Sequence, residues 1–98
     1  MPRVRLSARA RADVARLHNF LAAKDMAAAQ RAMAAIRDAF VPLQHAPMIG
    51  RPVEDHEALR ELVIDFGATG YLALYCFEPP LDSVTILAIK HQREDDYK

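Results

Sequence analysis

Six apolar residues, Met26, Ala29, Met33, Ile36, Phe40 and Leu43, recur at intervals of three, four, three, four and three. Only a helix brings such positions onto one face, because a turn takes 3.6 residues. The stripe predicts a helix that starts after Asp25, whose carboxylate can cap it, and frays at Pro42. A shorter stripe of Val14, Leu17 and Leu21 precedes it, and Ser7 offers the cap for a helix over residues 7–23. Lys24 and Asp25 alone separate the two, so they must fold back as an antiparallel hairpin. The Ala and Met content of the stripes fits close packing of helix on helix.

The period then changes from three-to-four to two. Residues 48–58 hold Gly50, Pro52 and several charges and read as a loop. Leu62, Ile64 and Phe66 alternate with Glu61, Val63 and Asp65, as a strand with one buried face does. Gly67-Ala68-Thr69-Gly70 turns the chain into residues 71–77, an almost wholly apolar run that fits a central strand covered on both faces. Pro79-Pro80-Leu81-Asp82 turns it again into a β-branched run over residues 84–89. At the other end of the chain, Arg3–Leu6 alternates charged and apolar residues as a short edge strand. The expected fold is therefore α+β: an N-terminal strand and a two-helix hairpin packed on a twisted antiparallel β-meander, in the order β-α-α-β-β-β.

Ninety-eight residues suit one domain, spanning residues 1–98, with one modest core. No apolar run approaches the roughly 18 residues of a membrane span, and Met-Pro-Arg-Val-Arg lacks a signal peptide's apolar core. No membrane partner is expected. Cys76 is the only cysteine, which excludes an internal disulfide and fits the cytoplasm. Formal net charge is zero, yet residues 1–44 carry eight Lys/Arg against three Asp. A balanced total argues against a free, sequence-specific nucleic-acid binder, while Arg3, Arg5, Arg9, Arg16 and Arg37 would suit an acidic protein segment.

Neither a phosphate-binding glycine loop nor metal-ligand spacing among His18, His45, His56 and His91 is present, so no cofactor and no metal are expected. Side chains able to cleave a phosphodiester do occur: His91 and Tyr97 to move protons, Arg93 and Arg60 to hold the phosphate, with Glu54 or Asp55 nearby. The same residues also read as a solvated strand end, with Arg60 a surface partner of Glu57 or Glu61. Glu94, Asp95 and Asp96 weigh toward that reading, because carboxylates repel a phosphate.

Gly50-Arg51-Pro52, Leu59-Arg60-Glu61-Leu62-Val63-Ile64, Gly70-Tyr71-Leu72-Ala73-Leu74-Tyr75, Val84-Thr85-Ile86-Leu87-Ala88-Ile89 and His91-Gln92-Arg93-Glu94 succeed one another in an order that resembles the RelE/ParE superfamily of bacterial toxins. The resemblance covers essentially the whole chain and implies the toxin half of a type II toxin–antitoxin module, silenced by a cognate antitoxin. RelE-like members cut messenger RNA on the ribosome; ParE-like members share the fold and poison DNA gyrase. His91 and Tyr97 match the nuclease pattern at the end of the last strand, and Glu54 matches a glutamate of a related nuclease branch. Leu72 stands where that pattern has an arginine, and Glu54, Asp55, His56 and Glu57 stand where it has lysines. The resemblance thus leans toward a ParE-like, non-enzymatic inhibitor of gyrase. The alternative is a metal-independent endoribonuclease acting through His91, Tyr97, Arg93 and Arg60.

Overall fold

The computed structural model describes residues 1–94 and Tyr97; Asp95 and Asp96 of the expected carboxylate cluster lie outside the described residues. Its elements are β1 (Arg3–Leu6), α1 (Ala8–Ala22), α2 (Met26–Phe40), β2 (Arg51–Val53), β3 (His56–Phe66), β4 (Thr69–Glu78) and β5 (Ser83–His91). Short 3-10 turns at Val41–Gln44 and Pro79–Leu81 come after α2 and β4. Both helices start where their caps are. Ser7 Oγ accepts the Ala10 N–H at 3.0 Å and Asp25 Oδ1 accepts the Ala28 N–H at 3.2 Å. Pro42 converts the end of α2 into the first 3-10 turn.

The strands form one sheet in the order β1-β5-β4-β3-β2. The meander β3-β4-β5 is antiparallel as expected, but β1 pairs with β5 in parallel, so the sheet is mixed. A second correction concerns residues 48–58, which are not all loop: β2 and the first residues of β3 form a hairpin whose tip is Glu54 and Asp55. These strands are largely exposed, so they carry no apolar alternation to read. Backbone pairing and the Arg51–Glu61 cross-strand ion pair hold them, and Pro52 is tolerated because β2 is an edge.

The helical hairpin covers one face of the sheet. Ala32, Ile36, Phe40 and Leu43 pack there with Leu17, Leu62, Ile64, Tyr71, Ala73, Tyr75, Val84, Ile86 and Ile89. Met26, the first residue of the expected stripe, is exposed. Among the described residues no helix or further strand covers the opposite, outer face. β4 is central, yet Leu72, Leu74 and Cys76 do not all reach full burial, so the expectation of two covered faces is corrected to one.

A bulge in the β4–β5 ladder, where Leu74 pairs with Ala88 but Tyr75 with Ile86, governs the free edge of β5. The extra residue, Leu87, reverses which backbone groups of β5 face β4 and which face that edge. β1 ends at Leu6, opposite Ile86, so beyond the bulge the edge of β5 has no partner strand among the described residues. Side chains of the first helix and of the tail take its place. Ser7 Oγ donates to the Leu87 carbonyl at 3.0 Å, and Asp13 Oδ2 accepts the Ile89 N–H at 2.9 Å. Arg16 Nη2 reaches the Ile89 carbonyl at 3.5 Å, and Glu94 Oε1 accepts the His91 N–H at 3.0 Å.

Candidate functional site

Alternation along β5 decides which side chains can meet. His91 pairs with Tyr71 and points to the helix face; Lys90 pairs with Leu72 and points to the outer face. The His91 ring stands edge-on to Tyr71, with centroids 5.6 Å apart. Its Nδ1 accepts the Arg93 N–H at 3.1 Å, so Nε2 carries the proton donated toward Thr69 Oγ1 at 3.0 Å. Both ring nitrogens are engaged. His91, Arg93, Thr69 and Tyr71 border an open groove of about 550 Å³ with Leu17 and Phe20.

Tyr97 lies on the other side of the sheet. Its hydroxyl donates to Glu61 Oε2 at 2.7 Å, and the Lys90 ammonium sits 5.0 Å from its ring centroid. Glu61 also receives Arg51 Nε at 3.0 Å. Burial raises the Glu61 pKa, but the hydrogen bonds from Tyr97 and Arg51 and the charges of Arg51 and Lys90 outweigh it, leaving the carboxyl below its ordinary value. The outer face thus carries Arg51, Glu61, Leu72, Lys90 and Tyr97 as neighbours. Lys90, 9% exposed, is covered on a face that no helix covers, and its Nζ donates to the Glu94 carbonyl at 3.1 Å.

The remaining expected residues are spread out. Arg60 pairs with Tyr75, four residues along β4 from the partner of His91, about 13 Å away by strand rise. Its Nη1 donates to the carbonyls of Met48 at 3.0 Å and Gly50 at 2.7 Å. Arg3 and Arg5 stand on the outer face at the β1 edge, Arg5 Nε donating to Thr85 Oγ1 at 3.3 Å. Arg9 and Arg16 flank Asp13 on α1, and Arg37 is on the surface of α2 beside Asp38. Arg16 is engaged within the chain, its Nη1 lying 3.1 Å from Glu94 Oε1. Glu54, Asp55 and Glu57 are exposed at the β2–β3 tip. Sequence reasoning did not pick out Asp13, Glu61 or Lys90 for these roles. The Arg9-Asp13-Arg16 spacing was a readable signal for the first, whereas the other two depend on pairing across strands. Among the described residues no cluster of three His, Cys, Asp or Glu could hold a metal ion.

A helical hairpin on one face of a five-stranded mixed sheet is a fold that two solved structures share. The chromosomal ParDE system of P. aeruginosa superposes with a TM-score of 0.77 at 21% identity, over 93% of this chain and 96% of that one. The RelBE2 toxin–antitoxin complex of Mycobacterium tuberculosis does so with a TM-score of 0.63 at 24% identity, over 94% and 100%. These likenesses define the fold class. The chain belongs to the family described as the ParE toxin of type II toxin–antitoxin systems, whose profile matches residues 4–96. It is also 35% identical to the toxin RelE3 of Caulobacter vibrioides over 94 residues, 96% of this chain and 98% of that protein.

Proposed function

We propose that this type II toxin acts on DNA gyrase, trapping it on cleaved DNA, and is held inactive by a cognate antitoxin. The separation of His91 from Tyr97 by the thickness of the sheet carries this reading: a metal-independent nuclease needs its proton-transfer groups and phosphate clamp around one phosphate. Arg60 is occupied by loop carbonyls, and Leu72 leaves the centre of the outer face without the arginine a crowded phosphate calls for. Glu61 places a carboxylate beside Tyr97 instead. The cytoplasm is the place of action on this reading, and no helix among the described residues is long and apolar enough to cross a membrane.

The ribonuclease alternative draws support from one juxtaposition, Lys90 and Tyr97 with Arg51 on a single face. In that reading Lys90, rather than His91, is the cation at the end of the last strand. Purified toxin incubated in parallel with gyrase plus supercoiled plasmid and with a translating extract separates the two. Gyrase-linked double-strand breaks with intact message are expected; message cut within codons and no trapped gyrase reverses the assignment. Co-purification with the product of the neighbouring reading frame tests the antitoxin.

A further inference from the structure

Residues 47–50, just before β2, are held from beneath at several backbone atoms. The fully buried Tyr75 donates its hydroxyl proton to the Pro47 carbonyl at 2.8 Å and accepts the Gly50 N–H at 2.8 Å. Arg60 takes the Met48 and Gly50 carbonyls, and the Ile49 N–H donates to the Ala46 carbonyl at 3.2 Å. A Cβ on Gly50 would fall 2.6 Å from Tyr75 Cε1 and 2.9 Å from the Glu61 carbonyl oxygen, so only glycine lets the loop lie this close to the sheet. With the backbone satisfied from inside, water meets the side chains of Met48 and Ile49, 55% and 50% exposed.

A segment that merely connects α2 to β2 has no need of two large apolar tips or of a buried tyrosine and an arginine to fix them. Rigid display lowers the ordering cost of docking, which is what an interface anchor requires. The neighbouring charges set the chemistry of the partner. Arg51 beside the loop is paired with Glu61, while Glu54, Asp55 and Glu57 are exposed at the hairpin tip that β2 leads into, so a polyanion is repelled and a basic rim is attracted. β1, with Arg3 and Arg5, is the opposite edge of the sheet, four strand spacings or about 19 Å away. A partner bound at the basic edge therefore leaves this loop free.

We propose that residues 47–50 form a preorganised docking element that inserts Met48 and Ile49 into an apolar, basic-rimmed cleft on the toxin's protein target. The proposal rests on the toxin reading and assigns the target contact to a surface separate from the basic one. Its test uses the full chain, induced with and without a tagged antitoxin at matched expression. The double variant Met48→Ser/Ile49→Ser and the single Ile49→Asp should weaken growth arrest by about tenfold or more in inducer dose. Glu54→Lys/Glu57→Lys should weaken it as well, and all three should still co-purify with the antitoxin. Undiminished arrest by the Met48/Ile49 variants overturns the proposal, as does parallel loss of antitoxin binding or conversion of a wild-type dimer to monomer. Failure of the toxin reading itself is distinguishable, because the wild-type chain would then not arrest growth, and the docking assignment would fall with it.

Discussion

Removing the Asp13 carboxylate should unzip the far end of β5 from helix α1. Asp13 is 7% exposed, and its Oδ2 is the acceptor for the Ile89 N–H at 2.9 Å on an edge where β1 no longer runs. Asp13→Ala leaves that N–H without a partner. A hydrogen bond to a charged acceptor contributes about 1.5–3 kcal/mol net, and the orphaned donor sets the loss toward the upper part of that range. The flanking ion pairs add little. Arg9 and Arg16 stand 3.9 Å from the carboxylate with side chains 47% and 42% exposed, so solvent screening holds each contribution below about 1 kcal/mol. A total of about 2–3 kcal/mol corresponds to a fall in Tm of roughly 10–20 °C for a domain of this size. Asp13→Asn keeps an acceptor oxygen but not the charge, so a charged-acceptor bond becomes a neutral one and the loss should be about 1–1.5 kcal/mol, clearly less than for Ala. Urea unfolding monitored by far-UV circular dichroism gives both values, and hydrogen exchange at the Ile89 amide should quicken in the alanine variant alone. Equal destabilisation by Ala and Asn would refute the edge-acceptor argument and assign the role of Asp13 to its charge.

Other consequences can be measured on the same preparations. Gly50→Ala should cost about 1–3 kcal/mol, because the added methyl meets the buried Tyr75 ring and the Glu61 backbone, neither of which can step aside; a change in the urea midpoint within error would show that the loop has room. The folded-state pKa of Glu61 is depressed below 4.5, so its contribution is present above that pH and is lost as pH falls through the folded value. Glu61→Gln should therefore flatten the acid limb of a stability-versus-pH curve, and an unchanged limb would sink the assignment. Burial first, and then the nearby Glu78 charge, push the Cys76 thiol up, so thiolate is scarce at neutral pH and iodoacetamide should label the folded chain far more slowly than free cysteine. On the gyrase reading His91→Ala keeps growth arrest at matched expression, whereas abolished arrest with folding intact would restore His91 as a catalytic group.

Much of the architecture is legible in the residues because it depends on periodicity and local chemistry. The stripe from Ala29 to Leu43, the caps Ser7 and Asp25, and the alternation of Leu62, Ile64 and Phe66 each act within a few residues of themselves. The hairpin of β2 and β3 escaped because pairing of two exposed strands leaves no apolar pattern. The site was harder still. "IKHQREDDYK" presents His91 and Tyr97 as neighbours in the chain, and the sheet puts them on opposite faces.

The sequence by itself determined the superfamily and the type and order of every element except β2 and the start of β3, since hydrophobic period, capping and turn residues are local properties of a chain. Tertiary structure alone decided which side chains share a surface. A single extra residue at Leu87 turns Ile89 and His91 inward and Lys90 outward, because side chains alternate with a period of two and a bulge shifts that alternation by one. From that shift come the use of Asp13 as an edge acceptor, the meeting of Lys90 with Tyr97, and the parting of His91 from it. Arg60, in the same way, acquires its partners at Met48 and Gly50 only when β2 folds back on β3.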